Sequence, residues 1–240
     1  KKEVKKAIKR EVQTPYDKLF KGKKAFTVNG LMKMHLMAGK VYAEFPIELL
    51  NRDLALTSSI EDISDNGEGV VGQFAGRVNQ FRFTLQDSML QARLVRRYGV
   101  KNTGMGKNAD QIIERSNTPG IFQSYKILAY TPDKKAVVVD MTELFLESSR
   151  LTNPFPSYAG NSLYGFVQRI HKFQSQRSEL LGICGNDNSM SVHCNLGFNV
   201  DRLVLGSFMQ AKDVPVSVTV NKILMLLPED PMRPRLADSR

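Results

Sequence analysis

Tryptophan is absent from these 240 residues, cysteine occurs twice and histidine three times. The two cysteines, Cys184 and Cys194, permit one disulfide at most. A bridge formed in an oxidising compartment and a pair of free thiols fit that spacing nearly equally well. The histidines, His35, His171 and His193, are followed by Leu36, Lys172 and Cys194. None therefore stands in the HExxH context, where two His one helical turn apart grip zinc beside a Glu base. Each reads as a surface or strand histidine. No apolar run approaches the roughly 20 residues of a membrane-spanning helix. The chain opens KKEVKKAIKR, with no apolar leader core, and reads as a mature or trimmed chain.

What is present is an ordinary hydrophobic fraction, 42%, enough for a sizeable core. The formal charge of +10 is uneven: residues 1–24 hold ten Lys or Arg against three acids, so +7 lies there and +3 on the rest. A body-wide nucleic-acid surface is not indicated, and no nucleic acid is expected as a partner. Residues 1–14 read as a short basic helix with Val4, Ile8 and Val12 on one stripe. The basic leader, residues 1–24, is either solvated or a contact for an anionic membrane surface or a partner domain.

The body reads as strands. Leu31–Met37 and Val41–Phe45 flank a turn at Ala38-Gly39-Lys40. Pro46 ends that hairpin, a helical turn follows at Ile47–Asn51, and Leu54–Ile60 returns to strand. Ser64–Gly69 is a turn cluster. Gln80–Gln86 and Met89–Arg96 pair across Asp87-Ser88. There Phe81, Phe83 and Leu85 alternate with Arg82 and Thr84, a core face behind a wet one. Ala109–Arg115 and Thr142–Ser148 are predicted helices, and Ile121–Tyr130 with Ala136–Asp140 another hairpin. Residues 150–162 read as loop, and Phe155, Tyr158, Tyr164 and Phe166 as packing anchors or an aromatic platform. Ser191–Asn199, Leu203–Met209 and Val214–Leu227 read as strands, before a Pro-broken exit. The sum is an α+β fold, predominantly antiparallel β-sheet with a few short helices. Its expected divisions are the leader 1–24, a hairpin subdomain 25–62, a main β-rich domain 63–228 and an extended linker 229–240.

Catalytic motifs are incomplete. Gly104-Met105-Gly106-Lys107 resembles a phosphate loop, but Asn108 replaces Ser or Thr and the upstream Gly is missing. Gly160–Gly165 has one residue too many for a nucleophile elbow. Asp62–Gln73 begins like a calcium loop but ends on Gln instead of a bidentate Glu, so a plain connecting turn is the simpler reading. Cys184, His193 and Cys194 would need a fourth metal ligand from elsewhere. No catalytic, cofactor or metal residue is therefore assigned.

An ordered set of strings carries a resemblance. Pro15–Gly22 (PYDKLFKG), Phe45–Leu56 (FPIELLNRDLAL), Val137–Phe145 (VVVDMTELF) and the closing Leu226–Arg240 (LLPEDPMRPRLADSR) resemble the uncharacterised domains that precede the catalytic domain in Bacteroides-type zinc-dependent metalloproteases. The resemblance runs from about residue 14 to the last residue, and the proline-rich close is its most specific part. It implies export to the periplasm or cell envelope, with a metzincin-like domain downstream. Zinc is expected only in that domain, so no cofactor belongs to this fragment. The expected role is then a non-catalytic accessory or pro-like region that assists the folding, docking or cleft access of its own C-terminal protease domain. Interdomain contacts would run through Pro231, Met232, Arg233, Pro234 and Arg235. The alternative is a stand-alone cell-envelope module that binds peptide or glycan.

Overall fold

In the computed structural model, the described residues are 13–95, 111–112, 115, 118–146, 152–155, 158–162, 165–205 and 211–228. They form a single antiparallel sheet of twelve strands. In chain order these are β1 (Phe26–Val28), β2 (Lys33–Met37), β3 (Lys40–Pro46), β4 (Asp53–Ile63), β5 (Asn79–Gln86), β6 (Met89–Leu94), β7 (Gly120–Tyr130), β8 (Ala136–Asp140), β9 (Tyr158–Ser162), β10 (Gly165–Asn186), β11 (Ser189–Leu205) and β12 (Ala211–Leu226). Short helices accompany them, among them α1 (Pro15–Phe20) and α2 (Thr142–Leu146), with a 3-10 turn at Ile47–Leu49; residues 111, 112 and 115, within the helix expected at Ala109–Arg115, are also helical. The fold is thus mostly β, and the α+β label overstates its helix.

The spatial order is β1-β2-β3-β8-β7-β6-β5-β4-β12-β11-β10-β9. Hairpins account for most neighbours, and two long-range pairings tie the chain together. β3 meets β8, with Phe45 opposite Val137, and β4 meets β12, with Leu56 opposite Leu224. The boundary expected at residue 62/63 falls inside β4, and strands from both sides of it alternate through the sheet.

The sheet rolls onto itself. The connection from β1 to β2 meets the β10–β11 turn, where Leu31 N–H donates to Asn186 O at 2.7 Å. Gly30 allows that approach, because a Cβ there would lie 2.7 Å from Asn186 O and 2.8 Å from Met190 Sδ. Inside the roll, Phe45 of β3 reaches Phe83 of β5, ring centroids 4.8 Å apart, both fully buried. A second apolar cluster fills the far end around Ile60, Leu196, Phe198, Val216, Val218 and Val220. Lys222, 1% exposed, occupies the inward position of β12 between Val220 of this cluster and Leu224 of the first.

The helices are short but well started. Thr14 Oγ1 accepts the Asp17 N–H while Asp17 Oδ2 accepts the Thr14 N–H, a reciprocal cap, and Pro15 pre-sets the first turn. The helix expected over 1–14 falls almost wholly outside the described residues. Three differences from the sequence reading concern the last third. Residues 158–162 form β9 instead of loop. The long β10 carries little alternation, with one register shift within Gln174-Ser175-Gln176-Arg177-Ser178-Glu179 and another between Leu180 and Gly182. Strand β11 is continuous where two strands were expected.

The two cysteines are free thiols, Cys184 exposed and Cys194 buried. Cys194 Sγ donates to Phe145 O at 3.3 Å, and burial pushes its pKa up to about 11. Thiolate is the reactive form. We expect native protein to take up one iodoacetamide, at Cys184, and to label Cys194 only after unfolding. Mass spectrometry of the labelled peptides checks this.

Candidate functional site

All three histidines lie on strands, and each meets a glutamate. His35 Nε2 is 3.0 Å from Glu44 Oε1, His171 Nε2 is 2.7 Å from Glu68 Oε2, and His193 Nδ1 is 2.9 Å from Glu61 Oε2. Among the described residues, no group of three or more His, Cys, Asp or Glu is placed to hold a metal ion.

The Glu68 pair belongs to the most unusual segment of the surface, the β4–β5 connection of residues 64–78. Glu68 is a buried carboxylate, its side chain 1% exposed, on an otherwise irregular loop. Burying such a charge is costly unless it is paired and hydrogen-bonded. Here Arg202 of β11 donates Nε–H to Glu68 Oε1 at 2.8 Å and also pairs with Asp65. Arg169 of β10 stands 3.6 Å from Oε1 and donates to Gly67 O. The Arg202 guanidinium, followed by the Gly67 N–H, holds the Asp65 carboxyl below its usual range. His171 completes the knot, its ring stacked on buried Phe155 at 4.3 Å, with Phe155 set edge-on to Phe198. Phe155 is therefore a packing anchor, not part of an open platform.

Backbone bonds fasten the same loop along β4. Ile60 N–H donates to Gln73 O, Gly72 N–H to Ile60 O, and Ala75 N–H to Ser58 O. At its start Ser64 N–H donates to Ser217 O, and Ser217 N–H to Ser64 Oγ. Near its end Gly76, at φ +80°, passes so close to Asn153 O that a Cβ would sit 2.7 Å from it. With so many ties, the loop is held in one shape.

That shape turns apolar side chains outward. Val70, Val71, Phe74 and Val78 are 62, 55, 74 and 63% exposed. Together they expose on the order of 400 Å² of residue surface, comparable to the largest apolar patch on a typical monomer, which is often functional. Isolated exposed valines are ordinary, whereas four large apolar groups on one fastened loop are not.

The calcium-loop reading of Asp62–Gln73 finds its acids otherwise engaged. Asp62 Oδ1 accepts the Ile63 N–H, while Asp65 and Glu68 face Arg202. Gly160–Ser162 lies in β9 and Gly165 opens β10, opposite Ser162. The Gly104–Asn108 loop and Pro231, Met232, Arg233, Pro234 and Arg235 lie outside the described residues. Arg169, His171 and Arg202 went unnoticed in the sequence as partners of the 64–69 turn, because about a hundred residues separate them from it.

The fold and this surface define an antiparallel β domain with a fastened apolar loop. Residues 69–240 match the family model described as Domain of unknown function (DUF5117), and residues 13–63 match Domain of unknown function (DUF5118). The first match covers more than half of the chain, which belongs to the DUF5117 family. No curated protein matches the chain, and no solved structure does. The two matched regions share one sheet, since β3 and β4, within residues 13–63, pair with β8, β5 and β12, within residues 69–240.

Proposed function

We propose that this chain is a non-catalytic accessory region of an exported zinc-dependent metallopeptidase, and that it docks the peptidase domain through the 64–78 loop. The observation that carries docking is the fastened apolar loop itself. A surface already ordered by Glu68, Arg202 and His171 loses little conformational freedom on binding, so more of its burial appears as affinity. The resemblance of Pro15–Gly22, Phe45–Leu56 and the proline-rich close supplies the identity of the partner. On this reading zinc and the reacting water belong to the peptidase domain, and the chain acts in the periplasm or cell envelope.

The test mixes the 240-residue chain with the separately produced peptidase domain and measures association by calorimetry. Phe74→Ser should weaken binding at least tenfold while leaving the unfolding midpoint of the chain unchanged, because Phe74 is 74% exposed. Phe74→Ser and Val71→Ser variants that bind as tightly as the unaltered chain, or no association at all, would refute the proposal.

A further inference from the structure

A second feature lies elsewhere on the molecule and is independent of the docking loop. A cleft of about 820 Å³ opens between Tyr16 of α1, the Gly30–Lys33 connection, the end of β3 with its 3-10 turn, and the β7–β8 hairpin. That volume is typical of ligand-binding clefts. Leu31, Met32, Pro46 and Ile47 supply apolar wall, and Ile47 is 39% exposed there.

Glu44 lines the cleft although it is only 8% exposed. Its two oxygens are used very differently. Oε1 accepts the Tyr16 O–H at 2.6 Å, meets His35 Nε2 at 3.0 Å, and has Lys33 Nζ at 3.5 Å. No described residue donates to Oε2. Oε2 is open to solvent at the cleft wall, where a bound group can donate to it in place of water. The partners on Oε1 also hold the carboxylate still. His35 is fixed from behind by Thr27 Oγ1, 2.8 Å from Nδ1, and its ring packs on Phe20 at 4.4 Å.

The charge state is set by the same neighbours. Burial pushes the Glu44 carboxyl up, but the bonds from His35 and Tyr16 and the Lys33 ammonium outweigh it, so Glu44 stays below its ordinary value and ionised at neutral pH. Burial, then Glu44, Asp133 and Asp17, push the Tyr16 hydroxyl up and keep it a donor. The other lining charges are Glu48 and Asp133 against Lys134 and Lys135, which stand at the hairpin tip.

We propose that this cleft binds a primary ammonium on an aliphatic stem, as in a lysine side chain of a polypeptide, with Glu44 Oε2 as acceptor and Leu31, Met32 and Ile47 beside the stem. A guanidinium fits less well. Its advantage is the two-pronged bond to both carboxylate oxygens, and Oε1 is already occupied. An anion would meet Oε2 head-on. A lysine stem, by contrast, covers apolar wall while its head seeks a single strong acceptor.

The probe is a capped pentapeptide, Ala-Ala-Lys-Ala-Ala, titrated into the full chain while the Met32 methyl signal is followed by NMR. The expected result is a saturable shift that weakens at least tenfold when the lysine is Nε-acetylated, and at least tenfold in Glu44→Gln. Because Tyr16 and His35 lean on Glu44, the acetylated peptide tests the idea on the unaltered chain even if Glu44→Gln fails to fold. Three results would overturn it: no saturable shift at millimolar peptide, equal binding of the acetylated peptide, or tighter binding of the glutamate analogue. The last would assign the cleft to its lysines instead.

Discussion

Glu68→Gln should lower the unfolding free energy by about 2–3 kcal/mol and open the 64–78 loop to proteolysis. The substitution keeps the volume of the side chain and removes its charge. His171 Nε2–H and Arg202 Nε–H both then face an amide where a carboxylate stood. Removing one member of a buried ionic set typically costs about 3–5 kcal/mol, because the charge left behind is not compensated. The lower figure applies here because Arg202 is 31% exposed and keeps Asp65, so water and the second acid recover part of the loss. Urea unfolding followed by fluorescence or circular dichroism reads the midpoint, and limited digestion reads the loop. The double variant Glu68→Gln/Arg202→Met should regain some stability, since it removes the stranded cation as well. An unchanged midpoint with an uncut loop would show that the ionic knot does not hold the segment.

Phe45→Ala and Phe83→Ala should each cost about 3–5 kcal/mol, the range for deleting a fully buried aromatic ring from a packed core. For a chain of this size, that corresponds to a fall of roughly 10 °C in the unfolding midpoint. Both rings are fully buried and touch each other across the interior of the roll, although β8, β7 and β6 separate their strands in the sheet. The pair should therefore be coupled, with the double variant losing less than the sum of the singles. Phe45 lies in the region matched by one family model and Phe83 in the region matched by the other. Coupling would show that the two regions unfold together. Additive losses with two separate transitions would mean that they are distinct folding units.

The hairpins were legible because their signals are local. Gly39 in a tight turn between apolar flanks predicts β2–β3, and the alternation of Phe81, Phe83 and Leu85 predicts both β5 and which of its faces is buried. Strand β10 was not legible. Gln174 through Glu179 is polar and interrupts the pairing with β11, which resumes on either side of it, so no local pattern reports one strand running through. The two candidate sites were hidden for the same reason. Ser64–Gly69 shows a turn, yet the groups that neutralise it, Arg169, His171 and Arg202, come from strands about a hundred residues on. Tyr16 likewise reads as part of the basic leader, and Glu44 as a strand residue, until the fold sets the phenol against the carboxylate.

The pairing of β4 with β12 has a consequence during synthesis. β4 leaves the ribosome some 150 residues before its neighbour exists. At roughly 5–20 residues per second it waits on the order of ten seconds with one row of its backbone N–H and C=O groups bonded only to water. During that interval the nascent chain offers Leu54, Leu56 and Ile60 to whatever it meets. A holdase that shields these side chains until the last strand emerges would raise the yield of native protein without touching its final stability.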